Sequence, residues 1–165
     1  PLGKLLSFIN KLVVGVGDFS PGKVTPLPLN GHRLGVLICY DVIFPELARD
    51  YVRHGSGLLV NLTNDAWFGR SSAPYQHLAM ARFRAIENRI WIARAANTGI
   101  SAFIAPSGKV TGASPVFEEL YLAGTVGLGN EPTFYTRFGP VMAQVCLFLS
   151  VVGVVALVWR KRQQA

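Results

Sequence analysis

The sequence predicts an α/β sheet protein ending in one transmembrane helix, and three observations predict it. Two short apolar runs, residues 33–39 and 57–62, have the length and continuous hydrophobicity of buried strands. Residues 44–55 and 74–89, which follow those runs, carry apolar side chains at helical spacing. From Pro140 to Trp159 runs "PVMAQVCLFLSVVGVVALVW", 20 residues without a charge. Alternating strands and helices followed by hairpin-like strands make a sheet with helices packed on it.

Residues 1–30 hold a short apolar segment, Leu5–Val16, and then a loop, "GDFSPGKVTPLPL", whose prolines and glycines lead extended into the next strand. The run "RLGVLIC" is the first buried strand and stops at Cys39. "FPELARDYVRHG" is a helix. Pro45 suits a first helical position, where a missing N–H costs nothing, and Glu46 complements the positive helix start. Leu47, Ala48, Tyr51 and Val52 form its apolar face, and Gly55 or Gly57 ends it. "GLLVNL" is the second strand and runs into the polar loop "TNDAWFGRSSAP". Apolar residues recur at Ala79, Phe83, Ile86 and Ile90, the spacing of an amphipathic helix. Residues 90–96 and 100–106 are strands separated by Asn97-Thr98-Gly99, and the turn 106–109 leads to another. Residues 121–128, "YLAGTVGL", are expected to add a last strand. There is no internal repeat.

Half of the residues are hydrophobic, and the excess over a soluble domain lies in 140–159. A helix of about 20 residues at about 1.5 Å per residue matches a hydrocarbon core of about 30 Å. Arg160, Lys161 and Arg162 follow at once, which predicts a cytoplasmic C-terminus and an extracytoplasmic remainder, with Trp159 at the interface. The chain therefore divides into a sheet domain, 1–137, and a membrane helix with a short basic tail, 138–165. The net charge of +7 does not indicate nucleic acid, because three of those charges are the anchor and most of the rest are scattered. Arg82, Arg84, Arg89 and Arg94 form the exception and are expected on a solvated or headgroup-facing surface. The two cysteines, Cys39 and Cys146, are too differently placed to form a disulfide. No Cys/His cluster suggests a metal, and nothing calls for a cofactor.

Cys39 admits two readings from the residues alone. Free cysteines are among the most buried side chains, so it can be a small core residue. Yet the carboxyl end of a buried strand before a helix is where open α/β sheets place their ligands. There, the free N–H groups of the following helix would favour a thiolate and hold a developing oxyanion.

The stretches "ICYDVIFPELARDYVRHGSGLLVNLTNDAWFG" and "PYQHLAMARFRAIENRIWIARAANTGISAFIAPSGKV" resemble the nitrilase, or carbon-nitrogen hydrolase, superfamily. Within it they are most similar to the apolipoprotein N-acyltransferases. The resemblance is carried by Cys39-Tyr40-Asp41 with Pro45-Glu46, by the loop Asn64-Asp65-Ala66-Trp67-Phe68-Gly69, by Gln76-His77, by Ala96–Gly99 and by the turn 106–108. It implies an αββα sandwich, of which this chain is the C-terminal part, in the periplasm of a bacterial cell and tethered to its inner membrane. It also implies a Glu–Lys–Cys triad with Cys39 as nucleophile. Cys39 would take a fatty acyl chain from a phospholipid as a thioester and pass it to the amine of a diacylglyceryl-cysteine apolipoprotein. The triad's Glu and Lys lie upstream of the nucleophile in that family, whereas every glutamate here follows Cys39. The start of the chain aligns in two registers, one setting Lys4 where a second glutamate belongs. The other matches Pro1-Leu2 to a later "VPL" and is preferred because it needs no such substitution. In either register the chain alone is expected to be inactive.

The neighbours of Cys39 carry paired expectations. Asp41 stands where these acyltransferases commonly have Glu, so it is either a pocket carboxylate or a helix-start charge. Tyr40 lines the substrate site by resemblance, or packs as a core tyrosine. Asn64 and Asp65 either form a turn or build a second rim of the cleft. Trp67 and Phe68 rest on lipid or cover an acyl chain, with inward packing the stronger alternative for Phe68. His77 is expected as a hydrogen-bonding residue at a helix start. Two other functions compete: a membrane-tethered amidase or nitrilase, and a non-catalytic membrane-anchored domain.

Overall fold

The computed structural model describes residues 22–129 and 131–164. The apolar segment 5–16 and the two registers of the chain start lie outside the described residues. Six strands form one mixed sheet in sequence order: β1 (Leu27–Leu29), β2 (His32–Ile38), β3 (Leu58–Asn64), β4 (Ile92–Asn97), β5 (Ala102–Ile104) and β6 (Val110–Ala113). The inner pairs β2–β3 and β3–β4 are parallel, and the outer pairs β1–β2, β4–β5 and β5–β6 are antiparallel. The parallel crossovers are the two long helices, α1 (Pro45–Arg53) and α2 (Ala73–Asn88). A short helix, α3 (Phe134–Phe138), precedes the long α4 (Val141–Gln164).

Both crossover helices cover the same sheet face, and the core lies between. Leu37, Leu59, Ile92 and Ile104 from the strands meet Val42, Ala48, Val52, Ala81 and Ala85 from the helical layer, all buried. At Gly35 the sheet and α1 come so close that a Cβ would lie 2.8 Å from Cβ of Tyr51. Of the four layers of the expected sandwich, the described residues form two, one sheet and one layer of helices. The other sheet face keeps Ile38 and Leu62 about half exposed, at 55% and 44%.

Three expectations are corrected. The strand over 121–128 does not form. Gly124 and Gly127 instead let this segment cross the sheet in an irregular path, with a Cβ at either position falling 2.6 Å from the Phe103 ring or 2.9 Å from the Trp91 indole. The strand-to-helix turn at Cys39 is longer than expected, because a 3-10 segment, Cys39–Ile43, stands between β2 and α1. Finally, Arg84 and Arg94 are not on a solvated face. They are buried, Arg84 against Glu87 at 3.0 Å and Arg94 against Asp65 at 2.7 Å. Arg82 and Arg89 do remain exposed.

Residues Val141–Lys161 of α4 have a mean hydropathy of 2.6 and are nowhere buried. This helix is long and apolar enough to cross a membrane.

Candidate active site

Strand register builds the site. The parallel pairing sets Leu37 beside Asn61 and Asn61 beside Arg94, one row across β2, β3 and β4 on the helix-covered face. Two residues beyond this row, at the carboxyl end of β2, lies Cys39. Its φ of +52° is in the left-handed region, unusual for a side chain with a Cβ. Such a conformation persists only where the surroundings enforce it. They do so from two sides. The Asn61 amide donates to the carbonyls of Leu37 at 3.0 Å and Cys39 at 3.3 Å, one before and one at the bend. The Asp41 carboxylate accepts the Ile38 N–H at 2.9 Å, closing the turn from its other end. Cys39 is left partly accessible at the crest.

Beneath the bend is a buried polar network. Asn61 Oδ1 accepts from the Arg94 guanidinium, which also donates to Asp65 Oδ2 at 2.7 Å and to the Ile100 carbonyl at 3.1 Å. The other Asp65 oxygen accepts from the Thr63 hydroxyl at 3.0 Å and lies 3.0 Å from His77 Nδ1. An imidazole carrying its proton on Nδ1 donates to Asp65, and that tautomer leaves Nε2 as a lone pair. Burial holds the His77 pKa below its ordinary value and the Arg94 charge adds to this, against the opposing effect of Asp65 and the Cys39 backbone. Burial also lowers the Arg94 pKa, opposed by Asp65 and by the charge of an ionised Cys39. Arg94 keeps its proton regardless. A buried cation with a carboxylate, an amide and a carbonyl around it is satisfied, and removing one partner of such a pair costs about 3–5 kcal/mol.

The residues singled out in the sequence separate into two groups. Cys39, Tyr40, Phe68 and His77 come together. The Tyr40 ring is 6.0 Å from Phe68 and 5.4 Å from His77, and Phe68 meets His77 edge-on at 6.4 Å. Phe68 is thus half-buried on the site's own aromatic wall, and His77 sits buried in the second turn of α2. Asp41 and Asp65 serve the framework, since their oxygens hold the bend and the network. Asn64 forms a turn: its Oδ1 accepts from Ala66 N at 3.1 Å and from the Asn97 amide at 3.3 Å. Trp67 projects outward, 85% exposed. No group of three or more His, Cys, Asp or Glu among the described residues is arranged to hold a metal.

Sequence reasoning missed Asn61, Thr63 and Arg94. A signal existed for Arg94, since in "IARAAN" it shares the buried face of the strand with Ile92. A charge there demands a partner.

Curated relatives match nearly the whole chain. The apolipoprotein N-acyltransferase of Geobacter metallireducens is 54% identical over 98% of it, and that of Shewanella oneidensis is 37% identical over 90%. The chain spans less than a third of either relative, 31% and 28%. Among solved structures, Saccharomyces cerevisiae Nit3, a member of branch 10 of the nitrilase superfamily, matches with a TM-score of 0.52 and 28% identity. That match covers 61% of this chain and 40% of Nit3. An amidase from Nesterenkonia sp. matches with a TM-score of 0.51 and 27% identity, over 78% of this chain and 49% of the amidase. The family model for carbon-nitrogen hydrolases matches residues 6–135, the greater part of the sequence, and the chain belongs to that family.

Proposed function

We propose that this chain is the C-terminal part of an apolipoprotein N-acyltransferase and that Cys39 is its nucleophile. The observation that carries the reading is the strained bend at Cys39, enforced by Asn61 and Asp41, in a chain that matches relatives of that name almost from end to end. The Cys39 sulfur attacks the acyl carbonyl of a phospholipid ester, and the tetrahedral adduct expels the lysophospholipid alkoxide, which takes up a proton. The thioester that remains is attacked by the free amine of a diacylglyceryl-cysteine apolipoprotein. An amide forms, the amine loses a proton and the thiol is restored. Two easier transfers replace one difficult one.

A base must take the thiol proton and later relieve the amine of its own. The carboxylates of the bend, Asp41 and Asp65, are occupied by the hydrogen bonds described above. The resemblance to the acyltransferases implies that the base and the activating lysine lie upstream of Cys39. Tyr40, Phe68 and Trp67 are proposed to line the acyl chain's route from the bilayer. The sheet domain is placed on the periplasmic side of the inner membrane and the basic end of α4 in the cytoplasm.

The Nesterenkonia amidase structures favour a second reading, hydrolysis of small amides. In one of them the acetamide moiety of fluoroacetamide is covalently added at the active-site cysteine. That likeness stands at 27% identity against 54% for the acyltransferase relative.

The test is fatty-acid labelling of the full-length gene product in membranes. A label released by neutral hydroxylamine is expected, and Cys39→Ala is expected to abolish it. A thioester that survives the substitution removes Cys39 from the reaction. Ammonia release from small amides without phospholipid would favour the hydrolase.

A further inference from the structure

We propose that α3 is a lipid-contact element, clasped by Arg49, that seats Phe134 and Phe138 in the bilayer surface and so fixes the height of Cys39 above it. The proposal rests on the reading of α4 as a membrane span.

Five residues do not make a stable helix alone, yet α3 is secured at both ends. Thr133 caps its start by accepting the Thr136 N–H at 2.9 Å, and its hydroxyl donates to the Glu87 carbonyl of α2 at 2.5 Å. Thr136, buried, donates to Asn88 Oδ1 at 3.0 Å. The last carbonyls of a short helix lack partners of their own. Arg49 supplies them, reaching across from α1 to the carbonyls of Tyr135 at 3.1 Å, Thr136 at 2.9 Å and Arg137 at 2.9 Å. Gly139, at φ +78°, then ends the helix, and α4 begins two residues later.

With Thr136 fixed inward, the opposite side of α3 carries Phe134 and Phe138, one helical turn apart. Their rings meet tilted at 43°, 4.8 Å between centroids, and they are 64% and 60% exposed. The pair ends three residues before Val141, where the uncovered apolar span begins, so exposed aromatic rings here suit the same lipid surface. Arg137, exposed and between them in sequence, suits a headgroup phosphate. The mechanical consequence follows from chain order. The 3-10 segment that begins with Cys39 leads directly into α1, α1 carries Arg49, and Arg49 holds α3. Cys39 is thereby linked to the lipid surface through packed elements rather than through a loose linker.

The test uses the full-length gene product, reconstituted in vesicles of phosphatidylethanolamine and phosphatidylglycerol containing radiolabelled phospholipid. A photoreactive benzoylphenylalanine replaces Phe138, or Phe134 as a second probe should the first fail to fold. The same residue at Val151 in α4 reports the span, and at Ser107, on an exposed turn, it serves as the negative control. Lipid adducts are expected at 138 and 151 but not at 107, and Arg49→Gln is expected to lower the yield at 138 several-fold while leaving 151 unchanged. Adducts at 151 but not at 138, or a cross-link from 138 to another segment of the protein, overturn the lipid contact while leaving the span intact. No adduct at either position overturns the span and the proposal together. A yield at 138 indifferent to Arg49→Gln overturns the clasp.

Discussion

His77 shares its buried surroundings with a full cation and a single carboxylate. Its Nδ1 lies 3.0 Å from Asp65 and 3.1 Å from Arg94, so one charge stabilises an imidazolium there and the other opposes it. Burial and Arg94 outweigh Asp65, and the folded protein takes up this proton at a lower pH than the unfolded chain does. The sign then follows from proton counting. Below the ordinary value of 6.5 the unfolded chain gains a proton before the folded one, so stability falls as pH drops through 6.5 and levels off below the folded pKa. Thermal unfolding of the full-length protein should therefore show a declining Tm just below pH 6.5, above the range where carboxylates ordinarily titrate. His77→Gln keeps a polar side chain beside Asp65 but cannot charge. It should flatten that decline while lowering Tm at neutral pH. A variant with the decline intact would assign it to another group.

At the scale of elements, what the sequence disclosed was what local pattern encodes. The strands at 33–39 and 57–62 and both crossover helices were legible because continuous apolar runs, Pro45-Glu46 and helical apolar spacing depend on near neighbours, although Phe83 and Ile86 prove exposed and Ala81 and Ala85 form the buried face of α2. The position of Cys39, at a strand end before a helical segment, was legible because that is itself a local pattern. Arg94 was not, since its partners Asn61 and Asp65 are 33 and 29 residues away and meet it only through strand register. The segment 121–128 has the composition of a strand, but whether it pairs or crosses a face depends on Phe103 and Trp91, which no local rule consults. Gly99 belongs to this class too. It reads as a turn glycine, yet a Cβ there would lie 2.7 Å from both Cβ and Cγ of Asp65. Asp65 is short, buried and held by three partners, so it has little room to yield. Gly99→Ala should destabilise the protein by about 1–3 kcal/mol, the usual range for overpacking. It should also slow alkylation of Cys39 by iodoacetamide, because Asp65 anchors the network under the bend. Unchanged unfolding and alkylation would show that the network adjusts freely.

For the whole molecule, the decisive asymmetry is between the two faces of the sheet. One is sealed by α1 and α2, while the other leaves Ile38 and Leu62 about half open immediately beside the bend that holds Cys39. The relatives are more than three times as long as the stretch this chain matches, which leaves ample sequence to cover that face. Burying such strand ends would remove water from around the thiol and raise the worth of every charge in the site. Under the proposed function, a layer covering that face is where the resemblance sets the base and lysine. Fold completion and catalysis should then fail or succeed together. Expressed alone, residues 1–165 should take up no hydroxylamine-sensitive fatty acid and should self-associate through the open face. Co-expression with the upstream part of the same gene product should restore both the label and a monodisperse complex. A label on the 165-residue chain alone would place the base within these residues, and the His77 Nε2 lone pair would be the first to test.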